Sequence, residues 1–355
     1  MADGDAACKY LGINEGVEMS EWGVGVLCLL AGLVLASIAA WIFSPWPRAL
    51  LIRYLFEKGG ARLAKALQKH VPAGVAAQRD LAYRDNDVDA RLDVFRPASA
   101  EAAGAALPTI VWIHGGGWLS GSKRDVDPYL RILASHGYTA VGIDYSPAPG
   151  KRYPTPVKQA NDAFRYLLAN AARLGVDPDG IFIAGDSAGA QIAAQIGLIT
   201  TSPRYADAVG MVPALQATQL RALLLFCGAF DMTQPTYKGV NGTLMHALLW
   251  AYSGQRDFSG MAAFQLASPM PHIDDRFPPS YITAGNGDPI EPLSRALAAR
   301  LQQLGVETDT LFYPADYAPA PPHEYQYNLD SAEGQQSLAR TLAFLKRHTT
   351  GQPND

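Results

Sequence analysis

Ser187 stands in "GDSAG", between Gly185 and Gly189, and is the residue best placed to attack a carbonyl carbon. A serine hydroxyl is a weak nucleophile until a base takes its proton and donors hold the oxyanion that its attack creates. The pentapeptide alone does not separate a nucleophile from a small residue in a tight turn. Its neighbours do. "IFIAG" before it reads as a buried strand, and "AGAQIAAQIGLIT" after it reads as a helix. A sharp strand-to-helix turn pushes the residue at its corner out at the top of a sheet. Gly185 and Gly189 suit that corner, because side chains there would strike the neighbouring strand and helix. The helix N-terminus adds positive potential where negative charge would develop.

The second piece is "HGGGW", His114 to Trp118, at the end of an earlier apolar run. Consecutive glycines let backbone N–H groups approach a ligand closely. Gly116 and Gly117, with the N–H of Ala188, are the expected oxyanion donors. Gly115 is expected to form the turn, and His114 to brace the loop through hydrogen bonds. Trp118 is expected to line a pocket.

A base and an acid must follow the serine, since a nucleophile elbow of this kind is completed in the order serine, acid, histidine. His246, His272, His323 and His348 come after Ser187. His246 and His272 fall in an aromatic-rich insertion, and His348 near the end of the last helix. His323 follows the last strand by a loop, "PADYAPAPPHEYQ", and is the expected base. Asp288, closing the strand "PSYITAGNGD", is the expected acid, fixing the imidazole tautomer. Asp231, Glu291 and Asp316 remain rivals for that role.

These residues need a scaffold. "TIVWIHGGGW", "YTAVGIDY", "GIFIAG", "RALLLFCGAFD", "PSYITAGNGD" and "ETDTLFYP" read as strands, most of them continuous apolar runs suited to burial on both faces. Helical patterns separate them, at 125–136, 155–175, 188–200, 292–304 and 331–348. The alternation predicts an α/β fold, a mostly parallel sheet covered by helices on both faces. "RLDVFRPA" reads as an edge strand closed by Pro97. Residues 232–277 read as an irregular insertion whose aromatic residues, Tyr237, Trp250, Tyr252, Phe258 and Phe264, either cover a substrate or pack as a core. No G-x-G-x-x-G follows a strand, so a dinucleotide-binding fold is not supported.

The chain has 355 residues, 48% hydrophobic and 17% charged, with a net charge of −4. This suits a globular protein, and the lack of a basic stripe in its body argues against nucleic acid as a partner. Cys8, Cys28 and Cys227 show neither metal-ligand spacing nor a disulfide framework. No charged residue falls between Trp22 and Pro47. The run from Trp22 to Phe43 would make a helix of roughly 33 Å, enough for a bilayer core of about 30 Å. Trp22, Trp41 and Trp46 sit at its ends, as interface anchors do. Gly32, Ala36 and Ala40 give it one small-residue face. A membrane anchor over residues 22–46 is the leading reading. A cleaved signal peptide and an apolar lid helix are the alternatives, the former weakened by the acidic residues ahead of the run. Arg48, Arg53, Lys58, Arg62, Lys65 and Lys69 follow, so the positive-inside rule places the body in the cytoplasm. A soluble cytoplasmic protein is the alternative.

Together, "HGGGW", "GDSAG", "GNGDP" and the late "HEY" resemble the hormone-sensitive-lipase-like family of α/β-hydrolases, in its bacterial carboxylesterase branch. The resemblance covers roughly residues 75–350. It implies a helical cap built from residues 47–80 and the insertion 232–277 on a catalytic domain over 81–350, oxyanion donors at Gly116, Gly117 and Ala188, and short to medium acyl esters as substrates. Three departures concern substrate identity. "DYSPAPG" replaces the usual stretch after the fourth strand, Pro292 stands where a second acidic residue is common, and Glu324 and Tyr325 follow the histidine in place of Gly-Phe. The expected reaction is ester hydrolysis through an acyl-enzyme, needing neither metal nor organic cofactor. A homodimer is compatible with an apolar cap face. An amidase or deacetylase with the same triad, and a ligand-binding protein on the same scaffold, are the other readings.

Overall fold

The computed structural model describes residues 21–232 and 239–349. Cys8 and Tyr237 lie outside them. The chain divides into two compact units, residues 1–47 and 48–355. The described part of the first is one helix, Glu21–Phe43, with none of its apolar Trp22–Phe43 stretch buried.

The second unit is built on one eight-stranded sheet. Its strands are β1 (Val75–Ala82), β2 (Arg91–Pro97), β3 (Leu107–Ile113), β4 (Thr139–Ile143), β5 (Val176–Asp186), β6 (Leu220–Phe226), β7 (Ser280–Ala284) and β8 (Thr308–Phe312). They run in the order β1-β2-β4-β3-β5-β6-β7-β8. β2 pairs antiparallel with both β1 and β4, and every other pair is parallel. The alternation of side chains along the central strands splits the core in two. Val111, Ile113, Ile183, Leu223 and Leu225 face one side, against helices Thr155–Ala169, Ala188–Thr201 and Glu291–Gln303. Ile110, Trp112, Phe182, Leu224 and Phe226 face the other, against helices Lys123–Ser135 and Ala332–Thr349. Burial on both faces is why these strands read as unbroken apolar runs.

The parallel register brings the C-terminal ends of four strands level. Ile113 pairs with Gly185, Asp186 with Phe226, and Phe226 with Thr283. The loops leaving β3, β5, β6 and β7 therefore open side by side, where open α/β sheets place their sites.

Two expectations are corrected. β2 is an interior strand, and the sheet begins within residues 47–80, because β1 covers its outer side. Two of the charged residues of β2, Asp93 and Arg96, are buried and paired. Asp93 accepts from the N–H of Asp80 at 2.7 Å and lies 3.2 Å from Lys123 Nζ, while Arg96 donates to the Ala105 carbonyl. The insertion is less irregular than it reads, since it carries a helix, Gly239–Ser253. Two glycines in the first turn and an apolar surface nearly all round hide its period.

Candidate active site

Ser187 is the corner between β5 and helix Ala188–Thr201, with φ 52° and ψ −118°. A positive φ is strained for a residue with a side chain, and the packing around the corner holds it there. A Cβ on Gly185 would lie 2.5 Å from the backbone of Gly189. One on Gly189 would lie on the Ile113 carbonyl oxygen and 2.5 Å from that of His114. Both glycines thus let the helix, β5 and the end of β3 approach at backbone distance.

The loops at the ends of β7 and β8 bring the other two residues to the corner. His323 Nδ1–H donates to Asp288 Oδ2 at 2.8 Å, and the Ser187 hydroxyl donates to His323 Nε2 at 3.0 Å. The second Asp288 oxygen accepts from the N–H of Ile290 at 2.9 Å. The two loops are laced together, Gly287 N–H to the Pro321 carbonyl at 3.0 Å and the Asn286 side chain to the Tyr317 carbonyl at 2.9 Å. The rivals lie elsewhere. Glu291 pairs with Arg295, His246 contacts the Arg256 carbonyl, His272 packs on Tyr205, and His348 sits beside Glu307.

Cys227, at the end of β6, was not singled out in the sequence. Its Sγ, a carboxylate oxygen of Asp288 and a ring nitrogen of His323 all lie within 4.8 Å of one another. Burial pushes the thiol up to about 11, so it is uncharged at neutral pH. At His323 burial disfavours the imidazolium, and the contacts with Cys227 and Asp288 outweigh it, so the ring titrates well above the ordinary histidine value. With Cys227 uncharged, Asp288 supplies the charge behind that shift at neutral pH.

The glycine loop sits opposite. Positive φ falls on Gly116 (96°) and Gly117 (60°), so these two make the turn. Gly115, expected to form it, has another role. Its N–H donates to Asp186 Oδ2 at 2.9 Å, and a Cβ there would collide with the same carboxylate. Among the described residues the N–H groups of Gly116, Gly117 and Ala188 have no protein acceptor. His114 braces the loop. Its Nδ1–H donates to the Gly115 carbonyl at 2.8 Å, and its ring stacks on Tyr145 at 4.3 Å. The Tyr145 hydroxyl lies 3.0 and 3.1 Å from the carbonyls of His114 and Gly115. Helix Trp46–Leu67 is pinned to the same region by Arg53, which donates to the Leu119 and Ala148 carbonyls at 2.7 and 2.8 Å.

Asp186, next to Ser187, is a further residue that the motif hides. It accepts from Trp112 Nε1 at 2.6 Å and from the Tyr327 hydroxyl at 2.9 Å, besides Gly115. Burial and the nearby Glu324 carboxylate push its carboxyl up to about 7, against the pull of those donors.

A cavity of about 340 Å³ opens over Ser187. Leu55, Phe56 and Leu63 of helix Trp46–Leu67 and Leu244, Met245 and Leu248 of helix Gly239–Ser253 give it apolar walls. Trp118 is not among its lining residues, and the expectation that it forms the pocket is corrected. Its φ of 60° turns the indole into the core, where it stacks on Tyr252 at 4.9 Å and donates to Gln191 Oε1 at 2.9 Å. Trp250, Tyr252, Phe258 and Phe264 are likewise buried core residues.

Comparison with known proteins agrees with this architecture. The chain is 25% identical over 288 residues to the esterase LipQ of Mycobacterium tuberculosis, covering 77% of this chain and 64% of that protein. It is 27% identical over 253 residues to the probable carboxylic ester hydrolase LipM of the same organism, covering 70% and 56%. The alignments thus span under two thirds of either relative. The crystal structure of esterase B from Lactobacillus rhamnosus superposes with a TM-score of 0.70 at 23% identity, over 85% of this chain and 96% of that one. The sheet, its order and its helical cover are those of an α/β-hydrolase, as the motifs led one to expect. Residues 92–301 match the model of the BD-FAE family, and the chain belongs to that family.

Proposed function

We propose that this chain is a serine carboxylesterase, acting on esters of short to medium acyl chains. The observation that carries the reading is the continuous relay from Asp288 through His323 to Ser187, facing unpartnered glycine N–H groups across an apolar cavity. Ser187 Oγ attacks the ester carbonyl as its proton passes to His323 Nε2. The oxyanion is held by the N–H groups of Gly116, Gly117 and Ala188. His323 returns the proton to the leaving alcohol. Water then attacks the acyl-enzyme by the same route, giving the acid and free Ser187. The names of the relatives support the same reaction. The test is hydrolysis of short p-nitrophenyl esters. Ser187→Ala and His323→Ala should each lower kcat by about 10⁴-fold or more, and full activity in either overturns the assignment.

We further propose that the chain is a single-pass membrane protein with its catalytic unit on the cytoplasmic side. The apolar length of Trp22–Phe43 supports this. So does the outer face of helix Trp46–Leu67. Leu50, Leu51, Tyr54 and Leu55 are exposed along it, followed by exposed Lys58, Arg62 and Lys65 at helical spacing. Such a face suits an anionic lipid surface. The full chain should stay with membranes through an alkaline carbonate wash, and release into the supernatant overturns the reading.

A further inference from the structure

The residue after the candidate base is the least expected group in the cavity. Glu324 lines it, and its Oε1 lies 3.8 Å from His323 Nε2, the nitrogen that faces Ser187. Its backbone has φ 59°, where a glycine is at ease and a side chain is not. Among the described residues its carboxylate receives no hydrogen bond, and its side chain is 22% exposed. The other three carboxylates of the cavity are engaged, Asp288 by His323 and the N–H of Ile290. Asp186 is held by Trp112, Tyr327 and Gly115, and Asp125 caps the helix that follows Ser122. No lysine or arginine is among the lining residues to neutralise Glu324. The rest of the wall is mostly apolar, so a charge here is felt more strongly than in water.

We propose that Glu324 selects the alcohol portion of the substrate and makes the site favour esters of amino alcohols, with a cationic nitrogen three or four bonds from the ester oxygen. This rests on the esterase reading above. The leaving alcohol departs past His323 Nε2, which donates its proton, so a group attached to that oxygen is brought to the Glu324 carboxylate. An ammonium there gains a counter-ion that a neutral group of the same shape cannot use, and an anionic group is repelled. The apolar walls remain available to the acyl chain.

The test uses two butyrate esters of the same shape, one of choline and one of 3,3-dimethylbutanol, with the full chain in detergent. The wild-type kcat/KM should favour the cationic ester at least tenfold. Glu324→Gln should bring the ratio close to one. Any effect of that change on His323 is common to both esters and cancels in the ratio. Glu324→Gly, which suits the backbone, is the second variant should the first fold poorly. Glu57→Gln, on an exposed part of helix Trp46–Leu67 outside the cavity lining, should leave the ratio at the wild-type value. A wild-type ratio near or below one, or a ratio unchanged in the Glu324 variants, overturns the proposal. A chain that cleaves neither ester overturns the esterase reading instead.

Discussion

Gly189→Ala tests the elbow without touching any group that exchanges a proton. The added methyl would overlap the Ile113 carbonyl oxygen and lie 2.5 Å from the His114 oxygen and 2.6 Å from the Ile113 carbonyl carbon. Ordinary contact begins at 3.4 Å. All three obstacles are backbone at the end of a central strand, so no side chain can swing away. The helix starting at Ala188 must therefore back off from the β3 end by about 1 Å, and a misplacement of that size costs about 100-fold in rate. The N–H of Ala188 and the glycine loop move apart in the same displacement, which loosens the oxyanion pocket as well as the nucleophile. Overpacking of this kind also destabilises by about 1–3 kcal/mol. The assay is steady-state hydrolysis of a short p-nitrophenyl ester, beside thermal unfolding and labelling by a fluorophosphonate. The expected result is a folded protein with a lower Tm, slow labelling and kcat down by about 100-fold. Activity within threefold of wild type at an unchanged Tm refutes the close approach described for Gly189.

Two further outcomes concern pH. Asp288→Asn should lower kcat by about 10⁴-fold. It should also move the acid limb of the pH–rate profile to lower pH, because the carboxylate that holds the His323 imidazolium above its ordinary range is gone. An unmoved limb counts against Asp288 as the partner. Asp186 works in the opposite sense on stability. Its folded-state carboxyl titrates at about 7, above the ordinary value of about 4. The native state thus binds this proton more tightly, and the associated stability is present below about pH 4 and lost as pH rises toward 7. The Tm of wild type relative to Asp186→Asn should fall across that window, and a flat difference would contradict the raised value.

The geometry around Ser187 was legible where it depends on short spacing. An elbow needs glycine two residues either side of its serine, and chain order singles out His323, which the fold brings to Ser187. What stayed hidden depends on contacts between distant segments. Trp118 reads as a pocket residue because it follows three glycines, and only the left-handed backbone they allow turns it inward. Glu324 reads only as a departure from the usual glycine after the histidine, and the structure places it in the cavity lining with a positive φ. β2 reads as an edge strand closed by Pro97, yet its Asp93 and Arg96 are buried. Asp80 and Lys123, far apart in the chain, converge on Asp93. Gly115 reads as the turn former, and the turn falls instead on Gly116 and Gly117 because the Gly115 N–H is taken by a carboxylate 71 residues away.

That carboxylate bears on when the site comes into being. Asp186 joins the β3 end, the glycine loop and Tyr327, the last of these 141 residues further along the chain. During synthesis the segment carrying His323 and Tyr327 follows Ser187 and Asp186 by more than a hundred residues. Until that segment docks, Ser187 lacks its contact with His323 and Asp186 lacks one of its three donors. Under the proposed mechanism, a chain that has not yet docked this segment carries the elbow and the glycine loop but not the relay that would make them act.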